Sequence, residues 1–260
     1  MRTRPVPRCR SPQYGRGVDF VIAHGVQTTA DHWAEVARRL PGRVLVPNRR
    51  GRADSPPIGP DYELRTEVDD LHRVLDTTEH PFLVGHSYGG LIALLAAAER
   101  DDLTALVLYE PVVPVDGPFA REPLKAITEA LDAGDRDKAF EIVSIELIGD
   151  SPRYAEAFRT RNPVGWSAML ELIDSTRAEI EALDRFRYDP AVLEKITVPT
   201  TVLLGERTDR PELVYGRAAR SLTREIEGAE LVMLPDQGHI AHLTAPDLLA
   251  DTITKFIQHR

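Results

Sequence analysis

Six short apolar runs, separated by stretches of helical periodicity, constrain this chain more than any other feature: VDFVIAH at 18–24, RVLVP at 43–47, PFLVGH at 81–86, LTALVLY at 103–109, VPTTVLL at 198–204 and AELVML at 229–234. Near-continuous apolarity, rather than strict alternation, marks strands covered on both faces, which is how parallel strands occur. Between the runs, Val68, Leu71, His72 and Leu75 recur at spacings of three and four, so 66–78 reads as a helix capped by Thr66 with Asp69 three residues on. The last helix has the same logic, with Thr244 ahead of Ala245, Pro246 and Asp247, and Leu248, Leu249, Ile253 and Ile257 along one side. Strand, helix, strand repetition implies an α/β fold with a mostly parallel, doubly wound sheet.

One region breaks the rhythm. From 112 to 196 there is no strand pattern, but there are helical stretches at 119–133, 135–148, 152–161 and 164–184, punctuated by Gly134, Gly149, Pro152 and Pro163. A chain of 260 residues is at the upper edge of a single core. The expected organisation is therefore one α/β core (18–111 and 197–260) carrying a helical cap (112–196), preceded by a basic arm (1–17).

That arm holds Arg2, Arg4, Arg8, Arg10 and Arg16 and no acidic residue, and Pro5, Pro7 and Pro12 occupy the place where a signal peptide needs an apolar core. No apolar run approaches the ~18 residues of a membrane span. A soluble, cytoplasmic protein with no membrane partner is expected. The net charge of −9 repels phosphate backbones, which disfavours nucleic acid as a partner. Cys9 is the only cysteine, so neither an internal disulfide nor a cysteine-built metal site can form.

The motif that carries chemistry is PFLVGHSYGG at 81–90, an apolar strand running straight into the helix-forming LIALLAAAER. A serine at so tight a bend must adopt a strained backbone, and its neighbours must be tiny, hence Gly85 and Gly89. The bend lifts the Ser87 hydroxyl clear of the sheet and aims the Tyr88 N–H, at a helix start, towards developing negative charge. A phosphate-binding reading fails, because no Lys follows the turn and the glycine spacing matches neither phosphate fingerprint.

A hydroxyl at neutral pH needs a base within hydrogen-bond reach. Of eight histidines, His239 in LPDQGHIAH is the candidate, since it lies on the loop leaving the last strand, at the sheet edge that carries Ser87. His24 and His86 are expected to pack beneath the site, and His242 to face solvent or cap the last helix. His32, His72, His80 and His259 read as surface or helix residues. AHGV at 23–26 follows the first strong strand, and there the Val26 N–H would pair with the Tyr88 N–H as a two-donor oxyanion hole; a plain strand-to-loop turn is the alternative.

Together, AHGV, the RRGRADS loop at 49–55, GHSYGG, the cap and QGH, in that order over residues 18–258, resemble the α/β hydrolase superfamily. The resemblance implies a third residue, an acid that orients His239. Members of this type usually carry it three residues after the glycine in GERTDRP, where this chain has Thr208. Asp209, one position late, is the expected acid; Glu110 in LYEP, from which some relatives supply it, is the alternative, followed by Glu206 or no acid. Relatives also open with a two-stranded hairpin, which here is either reduced, absent or replaced by some other packing of the arm.

Because the nucleophile is serine, relatives with an aspartate nucleophile are not functional models. The expected reaction is cleavage of a small or medium apolar ester, thioester, lactone or C–C substrate through an acyl-serine, without cofactor or metal, as in a carboxylesterase. Trp33, Trp166 and Met169, with Tyr88 and Leu170, are the expected pocket residues. The same fold and triad also serve lyases, cyclases and haloperoxidase-like enzymes, and a binding sensor could retain them.

Overall fold

The computed structural model describes residues 3–5 and 18–258. One sheet contains β1 (Thr3–Pro5), β2 (Asp19–Ala23), β3 (Arg43–Pro47), β4 (Phe82–His86), β5 (Ala105–Tyr109), β6 (Thr200–Gly205) and β7 (Glu230–Leu234). Their spatial order is β1-β3-β2-β4-β5-β6-β7, and every pairing from β3 to β7 is parallel. The helices are α1 (Ala34–Arg39), α2 (Leu64–Leu75), α3 (Tyr88–Ala97), α4 (Arg121–Asp132), α5 (Arg136–Ile142), α6 (Pro152–Arg161), α7 (Pro163–Glu171), α8 (Ile173–Arg185), α9 (Val214–Glu225), α10 (Ala241–Thr244) and α11 (Pro246–Gln258).

Alternate strand residues enter opposite layers, as the twofold period of a strand requires. Phe20, Ile22, Val84, Val107 and Leu203 pack with Trp33, Val36 and the α11 residues Leu249, Ile253 and Ile257 on one face. Val21, Leu83, Leu106, Leu108 and Val202 pack with α2, α3 and α9 on the other. The helix α3 is apolar all round because it is enclosed all round: Leu91, Ile92, Ala93 and Leu94 are each 1% exposed or less.

The helix expected at 66–78 begins two residues earlier. Leu64 is buried and belongs to the helix, Glu63 is its cap, and Thr66 serves that cap from inside the first turn by accepting the Glu63 N–H at 3.4 Å. At the other end, β1 pairs antiparallel with β3 along the edge of the sheet, Thr3 opposite Pro47. A proline in such a strand costs no ladder bond when its nitrogen faces outward. The rest of the basic arm, with Cys9, and His259 lie outside the described residues.

Between β5 and β6 the regular elements of the described chain are all helices, α4 to α8 and a 3-10 turn over Pro190–Lys195, in the region expected to form the cap. Phe140, Phe158 and Trp166 make its own small aromatic core, with ring centroids 4.6 to 6.4 Å apart. Ile127, Ile173, Ile180 and Leu183 join it to the main core. After α5 the helix widens into a π turn over Val143–Ile148, ended by Gly149 at φ 87°.

The chain runs from β2 to β3 on one side, then returns to place β4 on the other side of β2. Ligands of doubly wound sheets bind where the strand order reverses in this way, outside the carboxyl ends of the strands. Ala23 pairs with Gly85 at that point, so the loop after β2 and the turn after β4 emerge side by side.

Candidate active site

Ser87 sits between β4 and α3 with φ 57° and ψ −124°, a left-handed conformation that a non-glycine residue adopts only when its surroundings force it. The forcing is visible: its N–H donates to Tyr109 O at 3.1 Å, and its carbonyl accepts from Gly90, Leu91 and Val112. A side chain at Gly89 would overlap the Ala23 carbonyl, so only glycine lets the elbow lie against β2.

His239 follows β7. Its Nδ1 donates to Glu110 Oε2 at 2.7 Å, its ring stacks on Tyr215 at 4.3 Å, and its carbonyl accepts from His86 Nε2 at 2.9 Å. Glu110, fully buried at φ 44° just past β5, is held in turn: Oε1 accepts from Gly205 N at 2.8 Å and from the Thr208 hydroxyl. Carboxylate, imidazole and both supports are locked by contacts from β5, β6 and β7.

The acid expected first does not reach the histidine. The Asp209 carboxylate lies against Arg220, with two contacts of 2.6 Å, and this guanidinium holds its carboxyl below the usual range. Being one position late turns Asp209 outward and leaves Thr208 facing in, where its hydroxyl serves Glu110. Glu206 is also elsewhere, its Oε2 accepting from Asp236 N at 3.0 Å.

Ser87 and His239 line one small cavity of about 40 Å³, together with Val26 and Tyr88. Its walls are Val112, Phe119, Leu147, Ile148, Ile180, Leu183, Val214 and Tyr215. The expected pocket residues Trp33, Trp166 and Met169 are not among them. Trp33 is fully buried between His86 and His242 beneath the site. Trp166 stacks on Phe140 and donates Nε1 to Asp137 at 2.7 Å, inside the cap. Met169, on α7, packs against the core cluster. Large aromatic and sulfur side chains were the conspicuous candidates in the sequence, and of them only Tyr88 lines the cavity; the rest of the lining is Phe119, Tyr215 and aliphatic residues that no motif marks. Tyr215 was missed for the same reason; besides supporting His239 it donates to Leu147 O at 2.6 Å, tying α9 to the π turn.

His24 and His86, expected to pack beneath the site, are both buried beside Ser87. His242 does not face solvent: it is fully buried and stacks on Trp33 at 4.8 Å with an interplanar angle of 4°. Burial pushes all three imidazoles well below their ordinary value, with Arg49 and Arg52 adding to it at His24, which favours their neutral form. Among the described residues no group of histidine, cysteine and carboxylate side chains could hold a metal ion, and no helix is long and apolar enough to cross a membrane.

Residues 20–252 match the α/β hydrolase family. The chain belongs to that family. This α/β hydrolase is 27% identical over 256 residues to 2-(acetamidomethylene)succinate hydrolase of Mesorhizobium japonicum, which covers 94% of this chain and 89% of that protein. It is 24% identical over 251 residues to the non-heme chloroperoxidase CPO-A1 of Kitasatospora aureofaciens, covering 87% and 86%. An α/β hydrolase structure from Sphaerobacter thermophilus superposes with a TM-score of 0.77 at 27% identity over 93% of both chains.

Proposed function

We propose that this α/β hydrolase is a serine hydrolase in which Ser87 is the nucleophile, His239 the general base, Glu110 the acid, and the Val26 and Tyr88 amides the oxyanion hole. The carrying observation is the 2.7 Å bond from His239 Nδ1 to a buried Glu110 carboxylate. With Nδ1–H committed there, Nε2 is the nitrogen left free to take a proton, and the carboxylate stabilises the imidazolium that results. His239 removes the Ser87 proton as Oγ attacks the carbonyl; charge develops on an oxygen between the two amides; the leaving group departs with the proton. Water, activated by the same imidazole, then releases the acid and restores the serine.

The lining supports a small apolar acyl group. Apart from Ser87, His239 and the phenols of Tyr88 and Tyr215, the cavity walls are hydrocarbon, and no lysine or arginine is among them. A succinate-type substrate, as the Mesorhizobium relative's name describes, would have no cation there to receive its carboxylates. Short-chain esters, thioesters and lactones fit this lining, which makes a carboxylesterase-like activity the leading reading. Labelling by a fluorophosphonate tests the nucleophile: wild type should be labelled and Ser87→Ala not, and equal labelling of both would overturn the assignment. Turnover of p-nitrophenyl esters from acetate upward tests the acyl preference.

Similarity to a chloroperoxidase favours one second reading, cofactor-free perhydrolysis, in which hydrogen peroxide replaces water at the acyl-serine. Peracid formation faster than ester hydrolysis would select it.

A further inference from the structure

The RRGRADS loop after β3 takes no part in the chemistry above, yet the side chains of Arg49 and Arg52 are 3% and 0% exposed. A guanidinium is buried only when its charge and its donors are met. Arg49 meets them unusually. Its Nε donates to His24 O and its Nη2 to Gly25 O, each at 2.9 Å, while Nη1 reaches Glu67 Oε1 at 3.0 Å and Glu179 Oε1 at 2.5 Å. The guanidinium also stands 5.2 Å from the centre of the Tyr88 ring. Arg52 Nη2 bonds the other Glu179 oxygen at 2.7 Å. Two cations and two carboxylates thus balance out of contact with water.

The Gly25 carbonyl and the Val26 N–H belong to one planar peptide group. A cationic donor on the oxygen fixes that plane and polarises the group, which strengthens the N–H as a donor at its opposite end. Thr28 Oγ1 donates to the same carbonyl at 2.8 Å. Glu179 is on α8 beside Ile180, and both Ile180 and Leu183 wall the cavity. One charge cluster therefore touches the peptide that would bind the oxyanion, the ring of the residue whose N–H is the other donor, and the cap helix over the acyl group.

We propose that Arg49 is a positioning residue for the oxyanion hole, clamping the Gly25–Val26 peptide by its carbonyl, and that Glu179 fastens this clamp to the cap. This rests on the serine hydrolase reading above. A network that merely stabilises the fold would change melting temperature and leave catalysis alone, so the readout is transition-state binding.

Arg49→Lys, Glu179→Gln and Thr28→Val are compared with wild type for kcat and KM on p-nitrophenyl butyrate, for inhibition by butaneboronic acid, whose adduct with Ser87 puts an oxygen in the hole, and for competition by butyramide, which makes no such adduct. Removing an oxyanion donor outright costs about 100- to 1,000-fold in kcat, so a misaligned one should cost Arg49→Lys about 10- to 100-fold. KM and butyramide affinity should stay near wild type while boronate affinity falls with kcat. Glu179→Gln should lose about threefold to tenfold in the same two quantities. A folded Arg49→Lys with kcat and boronate affinity within twofold of wild type overturns the proposal. Should that variant not fold, Thr28→Val, which removes a further side-chain donor to Gly25 O and leaves His24 Nδ1 at 3.0 Å, carries the same test: about a threefold to tenfold loss supports the clamp and no loss overturns it. Wild type that a fluorophosphonate fails to label sinks the hydrolase reading and the clamp together; labelled wild type with unaffected variants sinks the clamp alone.

Discussion

Glu110 Oε2 accepts from His239 Nδ1 at 2.7 Å across 129 residues of sequence, and the carboxylate, whose other oxygen accepts from Gly205 N and the Thr208 hydroxyl, is fully buried. The pairing supports Glu110 as the proposed acid where the sequence offered Asp209 first.

Glu110→Gln should therefore cost about 10³- to 10⁴-fold in kcat, the scale seen when a triad acid is replaced by its amide and the imidazole loses its tautomer. Asp209→Asn should stay within a few-fold of wild type, since it weakens only a surface pair with Arg220. Steady-state kinetics of the two variants side by side decides the matter; the reverse ranking would reinstate Asp209.

Thr208→Val removes one of the donors to Glu110 Oε1 and keeps the shape of the side chain. Loss of a hydrogen bond to a buried charged group should lower stability by about 1.5–3 kcal/mol in urea denaturation. A looser carboxylate should also lower kcat, by about tenfold. Unchanged stability and rate would mean that Gly205 N–H alone holds the acid.

Phe119 is a half-exposed wall of the cavity, so trimming it opens space at modest cost to the fold. Phe119→Ala should shift the preferred p-nitrophenyl ester towards longer acyl chains, by about two to four carbons, as judged by kcat/KM across the series. An unchanged profile would place the acyl group elsewhere.

Stability should depend on pH through the neutral histidines. His24, His86 and His242 have native values pushed well below 6.5 by burial, whereas the unfolded chain binds protons near 6.5. The unfolded state thus takes up more protons as pH falls, and stability drops below about pH 6.5, by up to about 1.4 kcal/mol per pH unit for each histidine. Urea midpoints between pH 7.5 and 5.5 measure the slope. His242→Phe, which preserves the stack on Trp33, should flatten it by roughly a third; an unaltered slope would exclude His242 as a contributor.

Much of the architecture was legible in the primary structure because apolar runs, helix periods and the strand-turn-helix context of GHSYGG are local. The six parallel strands are read that way, and so are the helices between β5 and β6. Local signals also located the tight elbow, since a serine forced to φ 57° demands small neighbours wherever the chain goes next.

What locality cannot supply is which of several carboxylates turns inward, or which aliphatic residues close a cavity. Asp209 and Glu110 are equally charged and each follows a strand, β6 and β5 respectively; a one-residue offset after Gly205 sends Thr208 in and Asp209 out to Arg220. Trp33 and Trp166 drew notice for their size, but size is satisfied in any dry interior, and both found theirs away from the cleft. Only the assembled sheet, by bringing the ends of β5, β6 and β7 to one rim, decided which carboxylate His239 would meet.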